Sequence, residues 1–256
     1  MKTQGDNTIG ALATSIRILE SLKAKGSAGV TELSKELDLP KSTVYSHLRT
    51  LLEHEYVVRK GDDYCIGLKF LDYGEHGRTR MRLFEVAKPE VEALAEETGE
   101  LANLLVEEHG EGVYLYRSKG EQAVNLDTHA GMRVNMHCTS LGKAVLAYLP
   151  EERVDEIIEH RGLPARTPNT VTSREELEEE LATIRDQGFA YDNEERLSGL
   201  RCVSAPIKNA DGIAIGAVSV AGPTSRMKGE AFESEIPERV QSAANVIELN
   251  MTYSSR

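Results

Sequence analysis

The chain has 256 residues, of which 40% are hydrophobic and 28% charged, with a formal net charge of −12, three cysteines and no tryptophan. Such a length accommodates one large domain or two modest ones, with enough apolar residues for packed cores. No apolar run approaches a membrane span and the N-terminus has no signal-peptide pattern, so a cytoplasmic protein without a membrane partner is expected. Cys65, Cys138 and Cys202 are odd in number and show no CxxC spacing, which argues against a disulfide framework and a structural zinc site.

Residues 1–8 are polar and read as a disordered start. Leu12, Ile16, Leu19 and Leu22 give Ile9 to Ala24 a helical stripe, ended by 25–29. Val30, Leu33 and Leu37 share one face of a short helix, with Thr31 as its N-cap. Asp38-Leu39-Pro40 stops that helix, because proline cannot continue it. A second helix restarts at about Lys41, and Val44, Leu48, Leu51 and Leu52 form its stripe. Its other face carries Ser42, Thr43, Tyr45, Ser46, Arg49 and Thr50, with no acidic residue in an otherwise acidic chain. Lying in a major groove requires such a face: short hydroxyls and a Tyr can meet phosphates and base edges, and an Arg can reach guanine. An ordinary helical hairpin with a polar outer side would look similar on these two helices alone.

The run after the second helix favours the DNA reading. Tyr56–Val58 and Tyr64–Gly67 read as strands around the turn Arg59-Lys60-Gly61-Asp62-Asp63, which makes a winged helix-turn-helix. The candidate DNA-contacting residues are therefore Thr31, Lys41, Ser42, Thr43, Tyr45, Ser46 and Arg49, with Arg59 and Lys60 on the wing resting against phosphate or entering the minor groove. Residues 1–73 hold ten Lys/Arg and ten Asp/Glu, so the whole deficit of charge falls on 74–256. The Glu-rich, aromatic-poor remainder suits a halophilic cytoplasm, where counterion release contributes less to DNA binding and direct contacts contribute more; a merely acidic bacterial protein is the plainer reading.

Leu68, Phe70, Leu71 and Tyr73 begin a short helix that Gly74 and Gly77 interrupt, and the domain boundary is placed at 73/74. A helix from about Arg80 to Thr98 follows, with a kink or break expected near Ala87–Lys88 because of Pro89; 74–98 are read as linker helices and 99–256 as the second domain. Leu101–Glu107, Gly112–Ser118 and Ala123–Asp127 read as strands, and Thr139–Leu149 as a helix. Further helices span Glu151–Glu159 after Pro150 and Ser173–Gln187, the latter opened by the capping box of Ser173 and Glu176. Phe189–Asp192, Leu200–Lys208 and Ile213–Ala221 read as strands, the last two as a hairpin, and Gly229–Tyr253 as a terminal helix. Strands flanked by helices in this order indicate an α+β chain with an antiparallel sheet.

The helix start Thr139-Ser140-Leu141-Gly142 offers free N–H groups to an anion, although Thr139 serving only as an N-cap is an equal reading. His137, Cys138, Asp192 and Cys202 are metal-ligand types, but two are adjacent, which suits one tetrahedral ion poorly; no metal is expected. Cys138 and Cys202 could form a catalytic thiol pair in a redox enzyme, yet a reductase has no need of residues 30–66. No GxSxG, HExxH, P-loop or dinucleotide fingerprint occurs, so neither an enzyme nor a cofactor is expected.

Taken together these segments resemble the IclR-type transcriptional regulators. The resemblance runs from Ile9 to about Ile247 and rests on Gly10–Ala24, LPKSTVYSHLRTL at 39–51, YCIGLKFLDYG at 64–74, HCTSLGKAVLA at 137–147, RTPNTVT at 166–172, GLRCVSAPI at 199–207 and AIGAVSVAGP at 214–223, in that order. It implies a GAF-like C-terminal domain that binds a small organic effector, and dimers assembling into tetramers on a pseudo-palindromic operator in double-stranded DNA. It carries the effector pocket onto Ser140, Leu141, Asp192, Leu200, Cys202 and Ser219, with Leu126 as a further wall residue. Where the family often has a second Ser this chain has Ala221, which implies a different or more apolar effector.

Overall fold

The computed structural model describes residues 8–126 and 128–253, and the chain divides into two compact units between Gly77 and Arg78. Apart from Thr8, the expected disordered start lies outside the described residues.

The first unit contains α1 (Gly10–Lys25), β1 (Ala28–Gly29), α2 (Val30–Glu36), α3 (Lys41–Glu53), β2 (Val57–Lys60), β3 (Asp63–Ile66) and all but the last two residues of α4 (Lys69–Thr79). Its antiparallel sheet runs β1-β3-β2, so the two-residue β1, which no periodicity could reveal, completes the wing. Ile18, Leu22, Leu33, Val44, Leu48, Leu51, Val57 and Tyr64 form the core. Removing these side chains from water is what holds two short helices that would be marginal alone. The turn between α2 and α3 places Asp38 at φ 51, a conformation that Asp tolerates, and is closed by Leu39 N–H to Ser34 O at 3.0 Å and Ser34 Oγ to Leu39 O at 2.6 Å. Ser15 Oγ and His47 Nδ1, 2.8 Å apart, tie α1 to α3.

Several expectations are corrected here. Ile18, not Ile16, turns inward on α1, and Leu12 and Ile16 are exposed. Gly29 rather than Thr31 is the N-cap of α2, without a side-chain cap bond. Leu52 is 38% exposed and so leaves the α3 stripe. Gly74 and Gly77 do not interrupt α4, which runs through both.

The second unit begins with α5 (Arg82–Thr98), which continues through Pro89 without a break. Glu85 and Pro89 both lie on the exposed side, where the carbonyl that proline leaves unbonded can face water. Strands β4 (Leu101–Glu108), β5 (Glu111–Lys119) and β6 (Arg133–Val134) precede α6 (Ser140–Leu146), α7 (Glu151–Arg161) and α8 (Arg174–Gln187). Then come β7 (Ala190–Asn193), β8 (Leu200–Lys208), β9 (Ala214–Pro223) and α9 (Ile236–Tyr253), the last entered through a π-helical turn at Ala231–Glu235. The expected strand at Ala123–Asp127 does not form over 123–126, and Asp127 is outside the described residues; the third strand is β6. Ser173 caps α8, accepting from Glu176 N–H at 3.2 Å, as its sequence signature predicts.

The six strands form one antiparallel sheet in the order β6-β5-β4-β9-β8-β7. Alternation along the strands sends two apolar sets to opposite faces. Ala102, Leu104, Val106, Val203, Ala205, Val218 and Val220 pack under α5 and α9, while Leu105, Tyr114, Ala190 and Ala217 pack under α6, α7 and α8. Helix α6 lies so close to residue 136 that a Cβ on Gly142 would sit 2.1 Å from the Met136 carbonyl oxygen.

A buried ion cluster fixes α6 to the loop after β7. The Lys143 ammonium has no exposed surface and meets both Glu195 carboxylate oxygens at 2.7 Å, with Glu180 as a further partner. Thr167 and Thr170 hydroxyls hold the Glu194 and Glu195 carbonyls, at 2.7 and 2.6 Å, and Asn169 Nδ2 donates to Asn193 O at 3.1 Å. Residues 166–170 thus pin the segment on which Glu195 sits. Lys143→Met leaves the Glu195 carboxylate buried without its cation and is expected to lower unfolding free energy by about 3–5 kcal/mol in urea titration; a loss below about 1 kcal/mol contradicts this role for the pair.

Candidate functional site

Each unit presents one candidate site. In the first, α3 shows solvent an unbroken non-acidic face from Lys41 to Thr50. Lys41, Ser42, Tyr45, Ser46 and Arg49 are exposed and Thr43 is half-buried, while Thr31 is exposed in the first turn of α2. Ser46 Oγ donates to Ser42 O at 2.9 Å and Thr50 Oγ1 to Ser46 O at 3.1 Å. These hydroxyls have given their protons to the helix and are left as acceptors. Arg59 and Lys60 are exposed on β2, but the Arg59 guanidinium is folded onto the wing turn, with Nε to Gly61 O at 2.8 Å and Nη2 to Asp62 at 3.3 Å. Reaching a phosphate requires Arg59 to leave those partners.

In the second unit the seven residues Leu126, Ser140, Leu141, Asp192, Leu200, Cys202 and Ser219 line a single small cavity of about 10 Å³, room for one water-sized group. Sheet register supplies its floor. One row runs Asn103, Ser219, Ser204, and the next Leu101, Ala221, Cys202, Asp192, all on the face toward α6. Helix α6 lies over these rows, and Ser140 Oγ is 2.5 Å from Ser204 Oγ. Thr139 Oγ1 accepts from Gly142 N–H at 3.0 Å, so the N-cap reading of Thr139 holds and one of the N–H groups offered to an anion is taken.

Asp192 is 1% exposed. Its Oδ1 accepts the Glu195 N–H at 2.8 Å and the Arg196 N–H at 3.4 Å. Burial, aided by the neighbouring Glu195 carboxylate, pushes its carboxyl up to about 7, against the pull of those N–H groups and Lys143. The cavity therefore holds a carboxyl whose neutral form burial favours. The same burial raises the Cys138 thiol to about 11 and Cys202 well above its ordinary value, so neither supplies the thiolate that redox catalysis requires. Cys138 Sγ is directed to Asn135 O at 3.6 Å and His137 Nε2 to Pro164 O at 3.1 Å. Among the described residues no three His, Cys, Asp or Glu side chains gather to hold a metal.

Sequence reasoning missed Asn103, Tyr114, Thr128 and Arg196, which also line the cavity. Arg196 comes from the loop after β7, at one edge of the sheet, yet its Nη1 reaches the Tyr114 hydroxyl on β5 at 3.0 Å. Nothing in the spacing of these residues announces that convergence. Lys143 did carry a signal, a lone cation in the apolar run Leu141–Leu149.

A winged helix-turn-helix unit followed by an antiparallel α/β unit with a small internal cavity is a layout found in transcriptional regulators. The family models agree: the IclR helix-turn-helix domain matches residues 11–61 and the bacterial transcriptional regulator IclR C-terminal domain matches 77–249. The chain belongs to the IclR family of transcriptional regulators. It is 33% identical over 247 residues to the probable HTH-type transcriptional regulator ArcR of Halobacterium salinarum, covering 95% of this chain and 94% of that protein. The crystal structure of Thermotoga maritima IclR is 30% identical, with a TM-score of 0.78 over 96% of this chain and all of that one. An IclR homologue from Microbacterium hydrocarbonoxydans, crystallised with 4-hydroxybenzoate, shares the fold at 24% identity, with a TM-score of 0.80 over 94% of this chain and 98% of that chain. The family is one of regulators rather than enzymes, and no described helix is long and apolar enough to cross a membrane.

The raised Asp192 carboxyl has a consequence for stability. Its folded value of about 7 lies above the ordinary 3.8, so the folded protein holds this proton more tightly than the unfolded chain. The stabilisation is complete below about pH 4 and is lost as pH rises to about 7, roughly 4 kcal/mol in all. The unfolding free energy of Asp192→Asn minus that of wild type is therefore expected to grow by roughly that amount from pH 4 to pH 8 in urea titrations; a difference that stays flat contradicts the assignment.

Proposed function

We propose that this regulator reads a pseudo-palindromic operator through α3 and the wing, as a dimer or tetramer, and releases or engages it according to a small carboxylate or sugar acid held in the cavity of the second unit. The observation that carries the reading is the outward face of α3. It is exposed, it holds Lys41 and Arg49 among hydroxyls and Tyr45, and it has no carboxylate between Lys41 and Thr50. That face sits on a neutral first third while the −12 charge falls on the rest, so the acidity of the chain does not repel DNA at the contact. One winged helix spans too few base pairs for useful specificity, which favours at least a two-fold assembly.

The lining of the cavity suits an anion, and the cavity must widen beyond its present water-sized volume to admit one. Arg196 enters it as a cation, and burial shifts the Asp192 carboxyl toward its neutral form. 4-Hydroxybenzoate, bound in the Microbacterium homologue, is itself a carboxylate, so the fold can house one. Coupling to DNA then follows from unequal affinity of the acid for two arrangements of the chain, with the segment before α5, where the units divide, as the joint.

Arg49→Ala is expected to weaken specific operator binding by roughly 1–3 kcal/mol, about 5- to 150-fold, in a gel-shift series, with little change on unrelated DNA; equal binding of variant and wild type rejects a base contact. Asp192→Ala should bind operator as wild type does but ignore the acid that releases wild type. Release of both at one concentration removes Asp192 from the sensing site.

A further inference from the structure

The first unit brings Thr31, Tyr45 and Arg59, all candidate DNA-contacting residues, to one open groove of about 680 Å³ between α2, α3 and the wing. Tyr45 reaches this groove from the face of α3 that has no carboxylate. The wing side differs. Asp62 and Asp63 line the same groove, and they balance Arg59 and Lys60 at the hairpin tip. Gly61, at φ 63, turns the chain there, and Lys60 stands directly opposite Asp63 in the strand register. Arg59 is tied down by its own hairpin. Its Nε donates to Gly61 O at 2.8 Å, its Nη2 meets Asp62 Oδ1 at 3.3 Å, and its Cζ lies 6.0 Å from the centre of the Tyr64 ring. The Asp62 side chain is fully exposed and bonds only Arg59 among the described residues. An ion pair so exposed adds little to the stability of the fold, so the fold itself does not account for Asp62.

We infer that Asp62 is a brake on DNA binding: it keeps the Arg59 guanidinium on the wing, and a phosphate entering the groove gains Arg59 only by displacing that carboxylate. The inference rests on the reading of α3 and the wing as the DNA contact and deepens it. A guanidinium offers the same N–H groups to a phosphate as to a carboxylate, so the two anions compete for one side chain. After the exchange Asp62 has lost its cation and lies beside the backbone, well inside the Debye length of about 8–10 Å, where like charges repel. The wing therefore adds little sequence-independent attraction, and the seating of α3 carries the affinity. Asp62 is a positioning residue in this scheme, acting through Arg59.

The test is a fluorescence-anisotropy titration of a labelled random-sequence duplex with the full chain at low salt, comparing wild type, Asp62→Asn, Arg59→Ala and the double variant. Asparagine suits a turn, and Asp62 makes no bond in the core, so the melting temperature of Asp62→Asn should match that of wild type. Asp62→Asn should lower Kd about two- to fivefold, the equivalent of breaking one exposed ion pair. In the Arg59→Ala background the same substitution should gain clearly less, because no guanidinium remains to be released. Damage to the fold weakens binding, so a gain that depends on Arg59 separates the brake from a merely structural effect. If Asp62→Asn binds no tighter than wild type, the inference fails while the DNA reading stands. An equal gain with and without Arg59 also overturns it, since Asp62 then acts by its charge alone. If wild type does not bind the duplex, the DNA reading fails first and takes the inference with it.

Discussion

A fully buried ammonium organises the second unit. Lys143 projects from an otherwise apolar α6 and is held by Glu195 and Glu180. Two charges removed from water stay buried only when paired at close range, so α6, α8 and the loop after β7 are held in fixed register. That register places Ser140 and Leu141 above the sheet rows and brings Asp192 and Arg196 to the same small space. The carboxyl of Asp192 feels the arrangement directly: it lies beside Glu195, whose charge helps raise it, and near Lys143, which opposes the shift. The fold of the second unit and the lining of the cavity thus share one electrostatic cluster.

The first unit solves a different problem with fewer means. Its core is small, so hydrogen bonds at the α2–α3 turn and between Ser15 and His47 supplement hydrophobic burial in aiming α3. The outward face of that helix is left without carboxylates. The acidic surplus resides elsewhere in the chain. Separation of charge along the chain leaves a strongly acidic protein with a non-acidic α3 face.

Much of this was legible in the sequence, and the remainder was hidden for physical reasons. The helix from Lys41, the hairpin behind it and the Ser173 cap carry local signals, namely a proline stop, alternating β-formers and a capping residue; the helix and the cap form as read, and the hairpin forms with a tighter turn, Arg59, Lys60 and Asp63 falling in its strands. The strand Leu200–Lys208 matches to the residue because it is a long apolar run bounded by glycine and a turn. Elements stabilised only by distant partners were not readable: β1 and β6 have two residues each, and Ala123–Asp127 has strand-like composition although its described residues 123–126 pair with no strand. Pro89 shows the reverse case, in which its exposed position on α5 lets the helix continue through a local breaker, and α4 likewise continues through its two glycines. At the cavity, family resemblance reached the residues on α6, β8 and β9. Asn103 and Arg196 stayed invisible because their partners, Ser219 and Tyr114, lie 116 and 82 positions away in the chain.

The most direct test of the central claim is amide hydrogen exchange of the full chain with and without an operator duplex. Protection concentrated in Lys41–Glu53 and Val57–Ile66 is expected, because that helix and hairpin are assigned to the DNA. Protection confined to residues 78–253, with α3 exchanging as fast as in the free protein, would contradict the assignment of the DNA contact.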